Sequence, residues 1–215
     1  MIENRILLDK TIEVALEEDL GSGDLTTDAI IDPLATGKAV LEARESMVLA
    51  GLMVFARTFE LLDHAVKIES RFKDGQSVDA GEKICIVSGP LSIILKAERT
   101  ALNFLQRMSG IATLTKKFVD KAGSSHVRIV DTRKTVPGLR LLDKYSVRMG
   151  GGYNHRMGLF DGILIKDNHI AAAGSIHKAV TLAKEKAPHT IKVEVEVEDL
   201  EGLQEAYQYR RDKCG

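Results

Sequence analysis

Three short apolar runs between residues 127 and 199 each end abruptly in charge, and that pattern limits the fold more than any other feature of the chain. Residues 127–130 run into Asp131, Arg133 and Lys134. Residues 162–165 run into Lys166, Asp167, Asn168 and His169. In the third run Val193, Val195 and Val197 alternate with Glu194, Glu196 and Glu198. Helical periodicity over 139–149 and 175–187 fills the gaps, with Ser175 as N-cap and Pro188 just past the end. Strand, helix, strand, helix, strand implies parallel pairing and an α/β architecture. In an α/β barrel the functional side chains stand at the C-terminal ends of the strands. A closed barrel takes roughly 250 residues, about 30 per strand–helix unit. Roughly 100 residues follow Gly110, so about three units are expected, an open part of a barrel.

The first half has a different rhythm. Ile6, Leu7, Ile12, Leu16 and Leu20 predict an amphipathic helix over 4–20, stopped by Gly21. Residues 21–33 read as a loop with Asp and Thr capping residues. Strands are expected over 37–48 and 65–73, with a helix in 51–64 between them. Residues 74–90 read as turn, short strand and turn. Pro90 suits the first turn of a helix. Ile93, Ile94, Ala97, Ala101, Phe104, Leu105 and Met108 carry that helix to Ser109-Gly110, and a second helix is expected over 111–121. The chain therefore divides near residue 110: an N-terminal α/β sandwich domain with a long helix over 1–110, and a partial α/β barrel over 111–215. No internal repeat, low-complexity tract or flexible linker interrupts this order.

Composition narrows the function classes. With 44% hydrophobic and 28% charged residues among 215, this is the make-up of a globular protein. A net charge of -1 provides no whole-chain field toward nucleic acid or membrane. No apolar stretch is long enough for a signal peptide or a membrane span. Cys85 and Cys214 lack metal-type spacing and read as free thiols in a reducing cytoplasm, with Cys85 in the apolar run ICIV as core.

The charged strand ends carry the chemistry. Arg133, Lys134 and Lys166 around one barrel mouth would repel one another unless a polyanion were bound among them. With Val facing the covering helices, Glu194, Glu196 and Glu198 face the interior, where a carboxylate can hold magnesium or a sugar hydroxyl. In GGGYNHR, three glycines allow close backbone approach to a ligand, and His155 and Arg156 offer donors. Arg99 and Arg107 lie two turns apart near one face of the long helix. Plainer readings stand beside each of these. Lys–Asp pairs at strand ends are often surface pairs worth little. Alternating Val–Glu commonly marks a strand with one wet face, and triple glycine a mobile loop. Arg107 reads as structural rather than functional. His64, His126, His177 and His189 read as structural or surface residues, and His169 as a site residue or a helix cap.

The segments EDLGSGDLTTDAI, ERTALNFLQRMSGIATLT, the block over 131–170 and KVEVEVEDL together resemble the quinolinate phosphoribosyltransferase family, also called nicotinate-nucleotide pyrophosphorylase (carboxylating), over roughly residues 12–204. The resemblance implies a type II phosphoribosyltransferase fold. It implies transfer of phosphoribose from phosphoribosyl pyrophosphate to quinolinate with decarboxylation, giving nicotinate mononucleotide, pyrophosphate and CO2 in NAD biosynthesis. Magnesium is the implied metal and a homodimer or dimer-based oligomer the implied assembly, each active site borrowing an arginine, matched by Arg99, from the partner. Arg133 and Lys134 match the substrate-contacting pair, and His155 and Arg156 match the residues that hold the quinolinate carboxylates. Lys166 matches the lysine near the reacting ring and pyrophosphate. Glu196 matches the acidic residue near ribose and metal, with Glu194 open as the alternative. Lys134, Lys166 and Glu196 are thus the catalytic candidates.

After Gln204 the family pattern of an Ala/Gly-rich segment, a strand ending in Leu-Asp-Asn and a Ser-Gly-Gly phosphate loop gives way to EAYQYRRDKCG. The expectation is a chain truncated or frame-shifted there, with little or no activity alone. Alternatives are a molybdenum-transport-linked relative of the same fold, or a fragment that only binds or dimerises. A biotinyl- or lipoyl-type carrier is a further reading of residues 65–90, against which the turn ESMVLAG lacks the required lysine.

Overall fold

The computed structural model describes residues 4–123 and 126–211, with side chains to Tyr207. The chain divides into two compact units, Met1–His155 and Arg156–Gly215.

In the first unit, α1 (Arg5–Leu20) begins at Asn4, whose side-chain oxygen accepts the Leu7 N–H at 3.0 Å, and ends at Gly21 in a positive-φ conformation. It buries Leu8, Ile12 and Leu16, the spacing of one helix face. The stretch expected as a loop holds a short helix, α2 (Leu25–Ile30). Asp24 caps it by accepting the Thr26 and Thr27 N–H groups, at 3.1 and 3.0 Å, so the capping residue was legible while the turn it nucleates was not. β1 (Thr36–Glu42) is followed by β2 (Met47–Val48), α3 (Leu52–Leu62), β3 (Lys67–Ser70), β4 (Ser77–Val78), β5 (Lys83–Pro90), α4 (Leu91–Ala122) and α5 (Arg140–Met149). The sheet is antiparallel in the order β1-β5-β3, with Val40 opposite Ile86 and Lys67 opposite Ser88. β2 and β4 form a separate two-residue ladder.

One face of the sheet meets α3 and α4. Phe55, Phe59, Val66, Ile84, Cys85, Val87, Ile94, Ala97, Ala101 and Leu105 form one buried cluster. Leu8, Ile12, Leu16, Val54, Phe104, Met108, Ala112 and Leu142 form another, which joins α1, α3, α4 and α5. The Arg57 guanidinium grips Asp9 through two bonds of 2.9 and 3.0 Å, fastening α3 to α1. The ESMVLAG turn is closed to a carrier role: Val48, Leu49 and Ala50 are buried.

α4 is one helix of 32 residues, not two. Ser109 was read as part of a stop. Its hydroxyl instead bonds across the core, accepting the Ala50 N–H at 3.1 Å and donating to the Ala50 carbonyl at 3.2 Å. Four residues on, the Thr113 hydroxyl oxygen accepts the Val48 N–H at 2.8 Å. These tertiary bonds outweigh the roughly 1 kcal/mol that glycine costs inside a helix.

Residues 127–130, expected as a strand, make a single parallel bridge, Val130 to Tyr153. The partner explains the brevity. Gly151 and Gly152 donate back to the Arg148 and Val147 carbonyls, so the chain leaves its turn only at Tyr153 and offers one residue for pairing.

In the second unit, β6 (Ile163–Ile165) leads into α6 (Asp167–Ala173), α7 (Ile176–Lys186), β7 (Val193–Val195) and α8 (Leu200–Arg211). β6 and β7 pair in parallel, Ile163 with Val193 and Ile165 with Val195, as the strand–helix rhythm requires. The Ser175 hydroxyl accepts the Lys178 N–H and caps α7. Ile165, Ile176, Ala179 and Val180 form the core, with Val193, Val195 and Val197 packed against it. Glu194, Glu196 and Glu198 are exposed, on the opposite side of the strand from the helix-facing valines. Among the described residues no helix is long and apolar enough to cross a membrane.

Candidate active site

In the first unit the 131–135 and 153–155 segments are bound together. The Asp131 N–H donates to the Tyr153 carbonyl at 3.1 Å, and the Tyr153 N–H to the Ile129 carbonyl at 2.8 Å. The Asp131 carboxylate accepts the His155 N–H at 2.9 Å and a bond from the Asn154 amide. It also pairs with the Lys144 ammonium, reaching across from α5. Lys144 donates a second bond to the His155 carbonyl at 3.1 Å. The Lys144 and Asp131 side chains are only 1% and 7% exposed, so this is a buried ion pair with further bonds to the His155 backbone and the Asn154 amide.

Beyond Asp131 the chain turns tightly. The Thr132 hydroxyl oxygen accepts the Lys134 N–H at 3.0 Å, and the Arg140 Nε donates to Thr135 at 3.1 Å. Lys134 is exposed. Arg133 is half-buried, and its Nε is buried with no hydrogen-bond partner. A guanidinium N–H shut away from water without an acceptor is costly, and an incoming anion would satisfy it.

Arg99 stands exposed on α4. Among the described residues no hydrogen bond or ion pair joins it to either segment. Two turns on, Arg107 makes a two-pronged pair with Asp143 of α5, both bonds 2.9 Å, the structural role expected of it. The Tyr145 hydroxyl donates to Asp74 at 2.7 Å; burial first, then this bond to a carboxylate, raises the phenol above its usual range.

The triple glycine serves packing. A Cβ on Gly150 would lie 2.3 Å from the Ala112 carbonyl oxygen, and one on Gly152 would lie 2.7 Å from Val147 Cγ1. Gly151 adopts φ of 86°, a conformation L side chains rarely take. The close approach is to α4 and α5 of the chain itself.

In the second unit Lys166 ends the β6 strand and begins α6. Its Nζ lies 3.0 Å from Glu196 Oε2 at the end of β7, with both side chains substantially exposed. Its N–H donates to His169 Nδ1 at 3.0 Å, so His169 is the cap of α6. Glu194 Oε2 lies 4.0 Å from Lys192 Nζ. Arg156 donates to the Gly162 carbonyl at 2.8 Å. The Asp161 carboxylate accepts the Met157 and Gly158 N–H groups, at 2.7 and 2.8 Å, and closes the turn after Arg156.

Sequence reading singled out neither Lys144 nor Asn154. Lys144 follows Asp143 on a helix whose apolar residues are Leu141, Leu142, Tyr145, Val147 and Met149, and reads as one more charge beside Asp143. No local signal marks it, because the carboxylate that buries it lies 13 residues away.

Two family models match the chain in order: the N-terminal domain of quinolinate phosphoribosyl transferase over residues 24–109 and its C-terminal domain over 111–213. A probable nicotinate-nucleotide pyrophosphorylase [carboxylating] of Bacillus subtilis is 45% identical over 203 residues, which cover 94% of this chain and 70% of that protein. The chloroplastic nicotinate-nucleotide pyrophosphorylase [carboxylating] of Arabidopsis thaliana is 47% identical over 206 residues, 94% of this chain and 59% of that one. Among solved structures, NadC from Streptococcus pyogenes aligns with a TM-score of 0.91 at 47% identity, covering 95% of this chain and 72% of its own. The nicotinate-nucleotide pyrophosphorylase from Francisella tularensis aligns at 0.90 and 42% identity, with 95% and 72% covered. These matches bear out the α/β class read from the strand–helix order, and the chain belongs to the quinolinate phosphoribosyltransferase family.

Proposed function

We propose that the chain carries out the chemistry for which its relatives are named: transfer of phosphoribose from phosphoribosyl pyrophosphate to quinolinate, with loss of CO2, to give nicotinate mononucleotide in NAD biosynthesis. The observation that carries this reading is the buried Asp131–Lys144 pair, which fastens the His155 backbone to the 131–135 segment two residues before Arg133, with the Arg133 Nε left without an acceptor. Quinolinate is a dianion and the co-substrate a pyrophosphate ester, so a site built from cations and backbone-anchored donors suits both.

Arg133 and His155 bind carboxylates and orient the ring. Arg156 takes the carboxylate-holding role that the family resemblance implies for it. Lys134 and Lys166 stabilise negative charge, Lys166 at the departing pyrophosphate. The ring nitrogen attacks the sugar carbon as its bond to pyrophosphate breaks. Loss of CO2 then leaves an electron pair on the ring carbon beside the new cationic nitrogen, and a proton takes its place. Neither step needs a protein nucleophile, and both depend on positioning and charge stabilisation. Removing a cation that acts in the transition state costs about 3 kcal/mol.

Magnesium fits the donor set in part. Among the described residues no three carboxylate, histidine or cysteine side chains converge on one point. Glu196 offers one carboxylate, already beside Lys166, and magnesium is commonly held by one or two carboxylates together with substrate phosphates. Bound there it would supply charge neutralisation at the pyrophosphate. Arg99, exposed and unconnected to the other candidates, suits the site of a second copy in a dimer.

The test is binding of quinolinate by calorimetry together with CO2 release from carboxyl-labelled quinolinate, with phosphoribosyl pyrophosphate and magnesium present. Quinolinate binding is expected from the full chain, with Arg133→Ala and His155→Ala each weakening it at least about tenfold, and CO2 release would set aside the expectation of little or no activity. Folded protein that neither binds quinolinate nor releases CO2 refutes the reading.

A further inference from the structure

Lys144 is used by nothing described so far, yet it is among the largest fully buried side chains in the molecule. At 1% exposure it cannot touch a ligand, so any functional role must act through its neighbours. Those neighbours are specific. Lys144 holds the His155 carbonyl, and its partner Asp131 holds the His155 N–H, so both backbone polar groups of His155 are fixed by one ion pair. The same carboxylate takes the Asn154 amide, and that amide donates in turn to the Lys144 carbonyl at 2.8 Å. Asp131 lies two residues before Arg133 and three before Lys134. Two loop segments that are far apart in the chain thus share one charged anchor, and α5 supplies its cation.

We propose that the buried Lys144–Asp131 pair is the positioning element of the substrate site, holding the 131–135 and 153–155 segments in register so that Arg133, Lys134 and His155 meet a single dianionic substrate. The proposal rests on the function reading above. A buried ion pair is a poor source of net stability, since an apolar pair of similar volume often serves as well. Its presence here is accounted for by what it aligns. Neither residue is a catalytic residue, because neither reaches the reacting atoms.

Lys144→Met alone leaves the Asp131 carboxylate buried without its cation and risks losing the fold. The informative variant is therefore the double substitution Lys144→Met with Asp131→Asn. It removes both charges, keeps an oxygen to accept the His155 N–H and deletes the bond to the His155 carbonyl. A second double variant, Arg57→Met with Asp9→Asn, removes an ion pair between α1 and α3 and controls for general destabilisation. Two readouts apply to the full chain: amide hydrogen exchange in peptides spanning 131–136 and 150–156, and the quinolinate dissociation constant.

The Lys144/Asp131 double variant is expected to keep the far-ultraviolet circular dichroism and the slow exchange of α4. Exchange in the two segments should rise at least about tenfold, and quinolinate affinity should fall about 10- to 100-fold, as when groups that orient ligating residues are removed. The control pair should leave both values unchanged. A folded Lys144/Asp131 variant with wild-type exchange in both segments overturns the proposal. So do loosened segments with an unchanged dissociation constant. If the unaltered chain binds no quinolinate, the function reading fails, and the exchange result alone decides whether the pair holds the two segments.

Discussion

Gly150→Ala adds one methyl group where α5 ends against α4. The backbone there has φ -77° and ψ 3°, which alanine adopts freely, so any cost is one of space alone. The added carbon would lie 2.3 Å from the Ala112 carbonyl oxygen and 2.6 Å from Thr115 Cβ. Carbon atoms pack best at about 3.5–4.0 Å, so the second contact is short by about 1 Å. Neither atom can rotate away, because both are fixed to the α4 backbone. The end of α5 must shift, and overpacking of this kind costs about 1–3 kcal/mol. Gly110→Ala is the internal reference. It lies within α4, and a Cβ there meets nothing within 4 Å, so the same methyl should stabilise by about 0.5–1 kcal/mol. Urea unfolding followed by circular dichroism at 222 nm separates the two. The midpoint should fall for Gly150→Ala and rise for Gly110→Ala, with similar slopes. A Gly150→Ala protein as stable as the unaltered chain would show that α5 does not pack on α4 at the distance described.

Asp9→Asn should cost about 1 kcal/mol at pH 7, because the two-pronged bond from Arg57 holds the Asp9 carboxyl below its usual range. A depressed carboxyl contributes stability above its unfolded-state value, so the gap to the unaltered protein should shrink as the pH falls below about 4 and close beneath the folded value; a gap constant from pH 3 to 7 contradicts the pairing. Burial pushes the Cys85 thiol up to about 11. In a Cys214→Ser background, Cys85 should therefore resist Ellman's reagent at pH 8 until urea unfolds the first unit, and rapid native labelling would disprove its burial. Ser175→Ala removes the acceptor for the Lys178 N–H and should lower the stability of the second unit by about 1 kcal/mol, read as faster amide exchange in α7; unchanged exchange there would dismiss the cap.

Periodicity recovers the elements whose burial follows a single stripe. α1 buries Leu8, Ile12 and Leu16, and α7 starts at a serine and stops before Pro188. The Val–Glu alternation likewise assigns the faces of β7 correctly, because strand side chains alternate whatever the register. Local punctuation fails where distant groups answer it. Ser109-Gly110 reads as a stop, yet the serine hydroxyl satisfies both backbone groups of Ala50, 59 residues away in sequence. The 127–130 run has the composition of a strand and a partner of only one residue, since the glycine turn before Tyr153 consumes the rest.

The same asymmetry governs the candidate site. Charged strand ends announce Lys166 and the segment after Asp131, because apolar runs that stop in charge are visible in one dimension. Their scaffold is not visible in this way. α5 carries adjacent charges at Asp143 and Lys144 that would ordinarily mark a wet face, and both are buried, one by Arg107 of α4 and the other by Asp131. Each pairing neutralises a charge whose burial would otherwise cost several kcal/mol, so neither residue can be buried without the other element in place. α5 is thereby fixed on one side to the helix that carries Arg99 and on the other to the segments that carry Arg133, Lys134 and His155. α5 thus becomes the part of the first unit that ties these cations into one frame, and the glycine at its end permits the approach to α4 on which that frame depends.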